Sequence, residues 1–247
     1  MATTKATNPD GFRFYTINGK KYVSATTVCK MMPKPFLLPW YAKMEKQAVA
    51  KLMATITSSK KLRSALQDLV EGRPAAIDYI EKTAKFGNKI HAAIESRFSK
   101  AKAPKLKKKH RKCMKEFDRW WKGSGLVAVP KKAEFVVHSK KLGVAGTLDL
   151  LAKLKDTKIL MVLDWKTGSG VYPEAFYQVV IYILCLQEMG FAVKSGLIVH
   201  VSRDGSSVKL HQVIPGKGRA PSFEKVKQLI SFWKMLNARA KKAGGGA

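Results

Sequence analysis

The apolar and polar positions follow one pattern in the first half of the chain and another in the second. Up to about residue 125 the apolar positions recur at helical spacing. We expect helices at residues 24–61, 61–71 and 75–98, with Pro33, Pro35 and Pro39 interrupting the first and Gly87 a candidate break in the last. Earlier, apolar runs at 12–17 and 20–23 flank Asn18-Gly19, which favours a type I′ turn, so a hairpin is predicted after a loose tail at residues 1–11.

After residue 125 the apolar runs become short and typical of strands. Strands are predicted at 127–129, 133–137, 146–154, 158–164, 195–201 and 208–214. Two helices accompany them, an apolar one from Pro173 to about Met189 and an amphipathic one from Ser222 to about Ala240. This order of elements predicts an α/β fold with a mixed central sheet flanked by helices.

The same pattern predicts how the chain is divided. We expect an N-terminal hairpin and helical lobe at residues 1–83, and an α/β core at 84–240 with a basic helical insertion near 100–125. Residues 241–247, with the sequence KKAGGGA, are predicted to be a flexible tail.

Charge narrows the range of partners. Lys and Arg number 47 against 17 Asp and Glu, a formal net charge of +30. A polyanion is the natural partner of such a chain, and DNA phosphates release counterions when cations neutralise them. A generally Lys-rich or high-salt proteome would also account for the charge, and so, less favoured, would an anionic membrane surface as the partner. The cationic stretch at residues 100–115 supplies candidate DNA-backbone contacts: Lys105, Lys107, Lys108, Lys109, Arg111 and Lys112.

Further features of the composition exclude several classes of protein. No apolar run reaches the roughly 18 residues that a membrane span needs, and residues 1–11 lack a signal-peptide pattern. We therefore expect an intracellular, cytoplasmic protein. Cys29, Cys113 and Cys185 are far apart and form no CxxC pair, which argues against a zinc ribbon or an iron–sulfur site.

Two aspartates and a lysine break the apolar pattern of two consecutive predicted strands. Asp149 lies among leucines in VAGTLDLLAKL, and Asp164 ends the apolar run of KILMVLDWKTG. A buried carboxylate is costly unless a cation or strong donors meet it, and two on adjacent strands can converge on a divalent metal. Lys166 shares a strand face with Asp164 because side chains alternate along a strand. A metal can activate water and a lysine can stabilise charge, so the pattern suits phosphodiester hydrolysis.

Asp149 followed by Asp164-Trp165-Lys166 resembles the D…(D/E)xK signature of the PD-(D/E)xK nuclease superfamily. A second motif precedes it, because Gly87, His91 and Glu95 lie on one helix face and resemble the G-x-x-x-H-x-x-x-E motif of RecB-like exonucleases.

A third motif follows, since Gln178 and Tyr182 resemble the Q-x-x-x-Y of the same branch. Together the motifs cover about residues 84–201 in the family's order. The segment 22–43 is loosely similar to the opening of stand-alone phage-type and mitochondrial-type exonucleases. Leu148 stands where the family often has Pro, and the four-cysteine cluster of the iron–sulfur members is missing from the sequence.

The resemblance implies a restriction-endonuclease-like core and a deoxyribonuclease that depends on Mg²⁺ or Mn²⁺. Its substrate would be linear double- or single-stranded DNA, in replication, recombination or repair, and an exonuclease is favoured. The implied catalytic residues are Glu95, Asp149, Asp164, Lys166, Gln178 and Tyr182. The implied metal ligands are His91, Glu95, Asp149, Asp164 and the Trp165 carbonyl, and Thr167 joins the candidate DNA contacts.

Two alternatives stay open. A structure-specific or restriction-type endonuclease could use the same fold, and a non-catalytic DNA-binding protein could retain it. For single residues a plain structural role also competes: Gln178 and Tyr182 could pack, and Trp120 and Trp121 more readily pack than stack on bases.

Overall fold

The computed structural model describes residues 3–8, 11–35, 37–54, 56, 58, 60–62, 64, 67, 72 and 74–243, with side chains as far as residue 238. Most of the helix predicted at 61–71, and the end of the tail from residue 244, lie outside these residues. The strands are β1 (Thr3–Thr7), β2 (Arg13–Ile17), β3 (Lys20–Ser24), β4 (Leu126–Ser139), β5 (Val144–Leu154), β6 (Leu160–Lys166), β7 (Val193–Val201) and β8 (Val208–Val213). The helices are α1 (Ala25–Cys29), α2 (Leu37–Met53), α3 (Ala75–Phe98), α4 (Lys108–Gly123), α5 (Pro173–Glu188) and α6 (Phe223–Ala243).

The eight strands form one mixed sheet. Its order is β1-β2-β3-β5-β6-β7-β8, and β4 also pairs with β5. The pairs β3/β5 and β6/β7 are parallel and the others are antiparallel. The predicted α/β class with a mixed central sheet is confirmed.

Helix α5 packs its apolar residues against this sheet. Val179, Val180 and Ile183 are fully buried and belong to one core cluster with Leu148 and Val162 of the strands. Pro173 occupies the first turn of α5, where its missing N–H costs nothing. Gly190 has a φ of +88°, the left-handed conformation with which a glycine typically ends a helix. None of the described helices combines the length and the apolar character that a membrane crossing requires.

The N-terminal hairpin forms as predicted. Asn18 and Gly19 both have positive φ, +49° and +77°, as a type I′ turn requires. Its strand β3 pairs with β5 through Val23 and Val144, so the hairpin belongs to the central sheet.

Four local expectations were wrong. Pro39 does not interrupt α2, because it lies in the first turn, where an N–H has no partner within the helix. Residues 3–7, predicted as part of a loose tail, form the edge strand β1, because pairing with β2 needs only backbone hydrogen bonds. Gly87 does not interrupt α3, which runs unbroken. The two runs at 127–129 and 133–137 form one strand with an irregularity between Ala128 and Ala133.

The chain clusters into two compact units. One comprises residues 1–32 and 89–247 and contains the sheet; the other comprises residues 33–88. Within the second unit Trp40 packs edge-on against Tyr41 and Tyr79, and Glu45 accepts a hydrogen bond from the Ala76 N–H at 3.1 Å. The boundary at residue 83 stays a prediction.

Candidate active site

The strand register brings the two aspartates together. The β5/β6 ladder ends at the pair Leu150–Leu163, and Asp149 and Asp164 are the next residues on the two strands, so they lie opposite each other just past it. Asp164 is 2% exposed. Two acidic side chains therefore share one face of adjacent central strands.

Asp149 is held by a backbone donor and a histidine. Its Oδ2 accepts a hydrogen bond from the Trp165 N–H at 2.6 Å, and its Oδ1 lies 3.6 Å from His91 Nδ1 on α3. Burial alone would raise the pKa of Asp149, but His91, Lys166 and the Trp165 N–H together hold that pKa below its ordinary value. Burial would likewise lower the pKa of His91, yet the charge of Asp149 outweighs it and the pKa is raised. This favours an imidazolium–carboxylate pair.

Asp164 is in a different electrostatic situation. Lys166 Nζ lies 2.5 Å from Asp164 Oδ2, but the contact lacks hydrogen-bond geometry, so this buried oxygen has an ion pair and no hydrogen bond. Burial, assisted by the charge of Asp149, raises the pKa of Asp164 to about 6 although Lys166 opposes the shift. The pKa of Lys166 is raised, because the two carboxylates outweigh the effect of its own burial. The lysine therefore keeps its charge.

These contacts join four of the residues predicted from the sequence, namely His91, Asp149, Asp164 and Lys166. Glu95 lies one helical turn beyond His91 and is half-buried. Its negative charge acts on Glu134 and helps to raise the pKa of that carboxyl.

Sequence reasoning missed Glu134. It lies on β4 between the pairs Ala133–Leu150 and Phe135–Leu148, which places it opposite Asp149. Burial first, then the charges of Asp149 and Glu95, raise the pKa of Glu134 to about 7, with His91 and Lys5 opposing. The side chain is exposed, so solvent screens part of this effect. The signal in the sequence was an acid inside the otherwise apolar run AEFVV.

Glu134 also has an unusual backbone. Its φ is +45°, in the left-handed region that residues with a Cβ rarely adopt, and it follows the irregular part of β4. Such conformations occur where the surrounding structure fixes them.

Gln178 and Tyr182 form a pair on α5. Gln178 Nε2 donates to the Tyr182 hydroxyl at 2.6 Å, and Tyr182 is 2% exposed. Burial and then the charge of Asp164 raise the pKa of Tyr182 well above its ordinary value, which places the neutral phenol near that aspartate. The ring approaches Gly146 on β5 so closely that an added Cβ would lie 2.4 Å from Tyr182 Cε1.

Three basic side chains hold the loop that follows Lys166. Arg203 Nε donates to the Thr167 carbonyl at 3.0 Å, and Arg219 donates to the Val171 carbonyl at 2.8 Å. His200 Nε2 lies 2.9 Å from the Gly168 carbonyl. Thr167 itself is 8% exposed. Three side chains thus hold backbone carbonyls of the loop between β6 and α5.

The indole of Trp165 points away from solvent into an aromatic cluster. Phe98 of α3 stacks on it at 6.5 Å, and Phe117 and Trp120 of α4 meet it at 5.3 and 6.4 Å. Trp121 contacts Phe98 at 4.7 Å. Trp120 and Trp121 therefore pack, as the sequence favoured, and the cluster supports the strand that carries Asp164 and Lys166.

The predicted DNA contacts other than the buried Thr167 are Lys and Arg residues that lie before α4 and on its first turns. All of them are exposed: Lys105, Lys107, Lys108, Lys109, Arg111 and Lys112. Their role in binding DNA stays a prediction.

The site has the donor types that a divalent cation prefers. The described residues contain no group of three Asp, Glu, His or Cys side chains gathered closely enough to hold an ion. Carboxylate oxygens and an imidazole nonetheless suit Mg²⁺ or Mn²⁺, and the buried Asp164 Oδ2 has the ammonium group of Lys166 as its only described partner. On this observation the donors fit such an ion.

Comparison with known proteins does not assign the chain to a family. No family model and no curated protein matches it. Among solved structures it is similar to a protein described as SSO0001, at 12% identity and a TM-score of 0.37 over 87% of this chain and 75% of that one. It is also similar to an alkaline exonuclease, LHK-Exo, from Laribacter hongkongensis, at 11% identity and a TM-score of 0.45 over 92% and 95%. At these scores neither similarity carries an argument about function.

Proposed function

We propose that this chain is a metal-dependent deoxyribonuclease of the PD-(D/E)xK type, close to the RecB-like branch. The observation that carries the proposal is the buried centre in which Asp149 faces Asp164, with Lys166 and His91 paired to them. Burying such charges together weakens stability more often than it strengthens it, so a catalytic role explains them better than a structural one.

Each side chain has a role in this proposal. Lys166 is charged and 28% exposed, so its ammonium group can meet a phosphate oxygen and stabilise the negative charge that develops there. Asp164, with a pKa of about 6, is largely ionised near neutral pH, so its carboxylate can bind a cation. His91 and the Trp165 N–H orient Asp149.

A divalent ion would complete the centre. Asp149 and Asp164, with Glu95 and the Trp165 carbonyl, would hold Mg²⁺ or Mn²⁺, and His91 would join them in its neutral form. The ion would lower the pKa of a bound water molecule and neutralise phosphate oxygens.

The net charge of the chain indicates the chemical class of its substrate. The net charge of +30 favours a polyanion, and we propose DNA ends or single strands as the substrate of an exonuclease.

The test follows labelled linear DNA with Mg²⁺ or Mn²⁺, for the wild type and for Lys166→Ala. We expect the wild type to cleave and Lys166→Ala to lose about 10²–10³-fold in rate, the usual effect of removing one charge-stabilising group. Lys194→Ala is the matched control, because Lys194 is an exposed lysine on the neighbouring strand β7.

Two outcomes would contradict the proposal. A wild type that binds DNA in a salt-dependent manner but cleaves none with either metal would be a non-catalytic binding protein. Cleavage of covalently closed circular single-stranded DNA would contradict the exonuclease assignment and favour an endonuclease.

A further inference from the structure

The outer face of α4 borders a basic groove that the sequence did not single out as a unit. The groove encloses about 770 Å³ and is lined by Arg97, Pro104, Leu106, Arg111, Met114, Lys115, Asp118, Arg119 and Lys122. Five of these residues are cations and one is an acid. The four cations from α4 recur at intervals of three and four residues, so they lie along one side of the helix.

Some of the cations fix the shape of the groove. Arg97 donates to both carboxylate oxygens of Asp118, at 3.4 and 3.2 Å, and so ties α3 to α4. Arg111 donates to the Leu106 carbonyl at 2.7 Å and keeps its positive charge.

Other cations are available to a ligand. Among the residues that the structure describes, neither Lys115 nor Lys122 has a carboxylate within salt-bridge distance, and both are exposed. The groove can therefore offer ammonium groups to an anion without breaking an existing pair.

The groove also has an apolar side. Met114 is 3% exposed, and Pro104 and Leu106 are half-buried beside it. Such a groove suits an unpaired nucleic acid strand, whose phosphates meet the cations while its bases or sugars cover the exposed parts of Pro104 and Leu106. A duplex presents only its phosphates to such a groove, because its bases are paired inside.

The groove and the proposed active site share one helix. Arg97 lies two residues after Glu95 on α3, and Phe98 stacks on Trp165, which lies between Asp164 and Lys166. A strand lying along the groove would therefore run beside the helix that supplies His91.

We propose that this groove binds an unpaired DNA strand outside the active site. The inference rests on the proposed function, because it assigns the groove to the DNA on which that centre acts. The cations of the groove contact the phosphate backbone of the DNA, so binding does not depend on the DNA sequence.

The experiment measures binding in EDTA, by fluorescence anisotropy of labelled oligonucleotides. The probes are an oligo-dT strand, an oligo-rU strand of the same length and a duplex of the same length. The test protein is the double variant Lys115→Glu/Lys122→Glu. The control is Lys225→Glu/Lys227→Glu, which makes the same change of charge at exposed positions on α6. Thermal melting checks that both variants fold.

We expect the groove variant to bind oligo-dT at least about tenfold more weakly. Its slope of log affinity against log salt should fall by about 1.4, since each lost phosphate contact on a single strand contributes about 0.7. Duplex affinity should change much less, and the control should bind oligo-dT almost as the wild type does.

Four results would overturn the inference, and the first is normal binding by the groove variant. An equal loss in the control would show that only net charge matters, an equal loss on the duplex would show a duplex site, and a loss confined to oligo-rU would show an RNA site. Because EDTA prevents metal-dependent cleavage, binding is read separately from catalysis. A wild type that cleaves DNA while the groove variant binds normally would refute the groove alone, and a wild type that never cleaves would refute the nuclease alone.

Discussion

Asp149 and Asp164 face each other across two strands, yet their pKa values move in opposite directions. Asp149 has the Trp165 N–H and the charge of His91 as partners, so its ionised form is favoured. Asp164 has the ion pair with Lys166 and no hydrogen bond, so burial dominates and raises its pKa to about 6. Two neighbouring carboxylates with separated pKa values can act as a permanent anion and as a proton acceptor.

This difference predicts how stability depends on pH. An Asp side chain loses its proton near pH 3.8 when unfolded, whereas Asp164 loses it near pH 6 in the native protein. Between these values the native state binds more protons than the unfolded state, so the free energy of unfolding falls as the pH rises. Asp164→Asn should lack the part of this fall that Asp164 contributes, on the order of 1–3 kcal/mol between about pH 4 and pH 7, and should keep the part that comes from Glu134, whose pKa is also raised.

The measurement is urea unfolding in EDTA across that range for wild type and variant. Asp156→Asn is the control, because Asp156 lies in an exposed turn between β5 and β6. The comparison concerns the slope of stability against pH alone, because the substitution also changes the partner of Lys166 at every pH. A slope in Asp164→Asn equal to that of the wild type would show that another group titrates.

At the scale of elements, the sequence was sufficient to predict the turns, helices and strands that depend on local sequence pattern. The Asn18-Gly19 turn, the apolar helix α5 and the strands that carry Asp149 and Asp164 were all foreseen, because turn chemistry and apolar runs determine them. Strand β1 was missed, because all of its side chains are exposed and only backbone pairing holds it.

Glu134 was missed for a different reason. Its place opposite Asp149 depends on the irregularity in β4, which sets the register of a long antiparallel pair. A sequence pattern gives the face of a strand but not its register with a distant partner. The motifs at His91, Asp164 and Lys166 could be recognised because each depends on spacing within one element.

Helix α5 contacts β5 so closely at Gly146 that one added methyl group there should lower the free energy of unfolding. Replacing Gly146 by Ala would place the new Cβ 2.4 Å from Tyr182 Cε1, so the ring or the strand must move. We expect Gly146→Ala to lower the free energy of unfolding by about 1–3 kcal/mol, the usual effect of overpacking.

Urea unfolding at constant pH measures this loss, with Gly123→Ala as the control. Gly123 ends α4, and a Cβ there would meet nothing within 4 Å. If Gly146→Ala were as stable as the control, α5 would be more loosely packed on the sheet than the structure indicates.

At the scale of the whole molecule, one excess of charge has two consequences. A net charge of +30 attracts a polyanion, and it also makes the folded chain repel itself, because folding brings the cations closer together. The basic groove concentrates that charge at one place, where Lys115 and Lys122 lack carboxylate partners among the described residues.

Self-repulsion predicts that salt stabilises the free protein. Raising NaCl from about 0.01 M to about 0.1 M shortens the Debye length from about 30 Å to about 10 Å, so most repulsion between distant surface cations is screened. We expect the melting temperature in EDTA to rise by several degrees over this range, as roughly 1 kcal/mol shifts it by about 2–4 °C in a domain of this size.

Added oligo-dT should raise the melting temperature further at low salt and hardly at all at high salt, because salt weakens DNA binding steeply. The melting is followed by circular dichroism, and a neutral osmolyte of matched osmolality serves as the control. If the melting temperature of the free protein stayed level or fell as NaCl increased, the cations would already be locally compensated, and the net charge would no longer be an argument for a polyanionic partner.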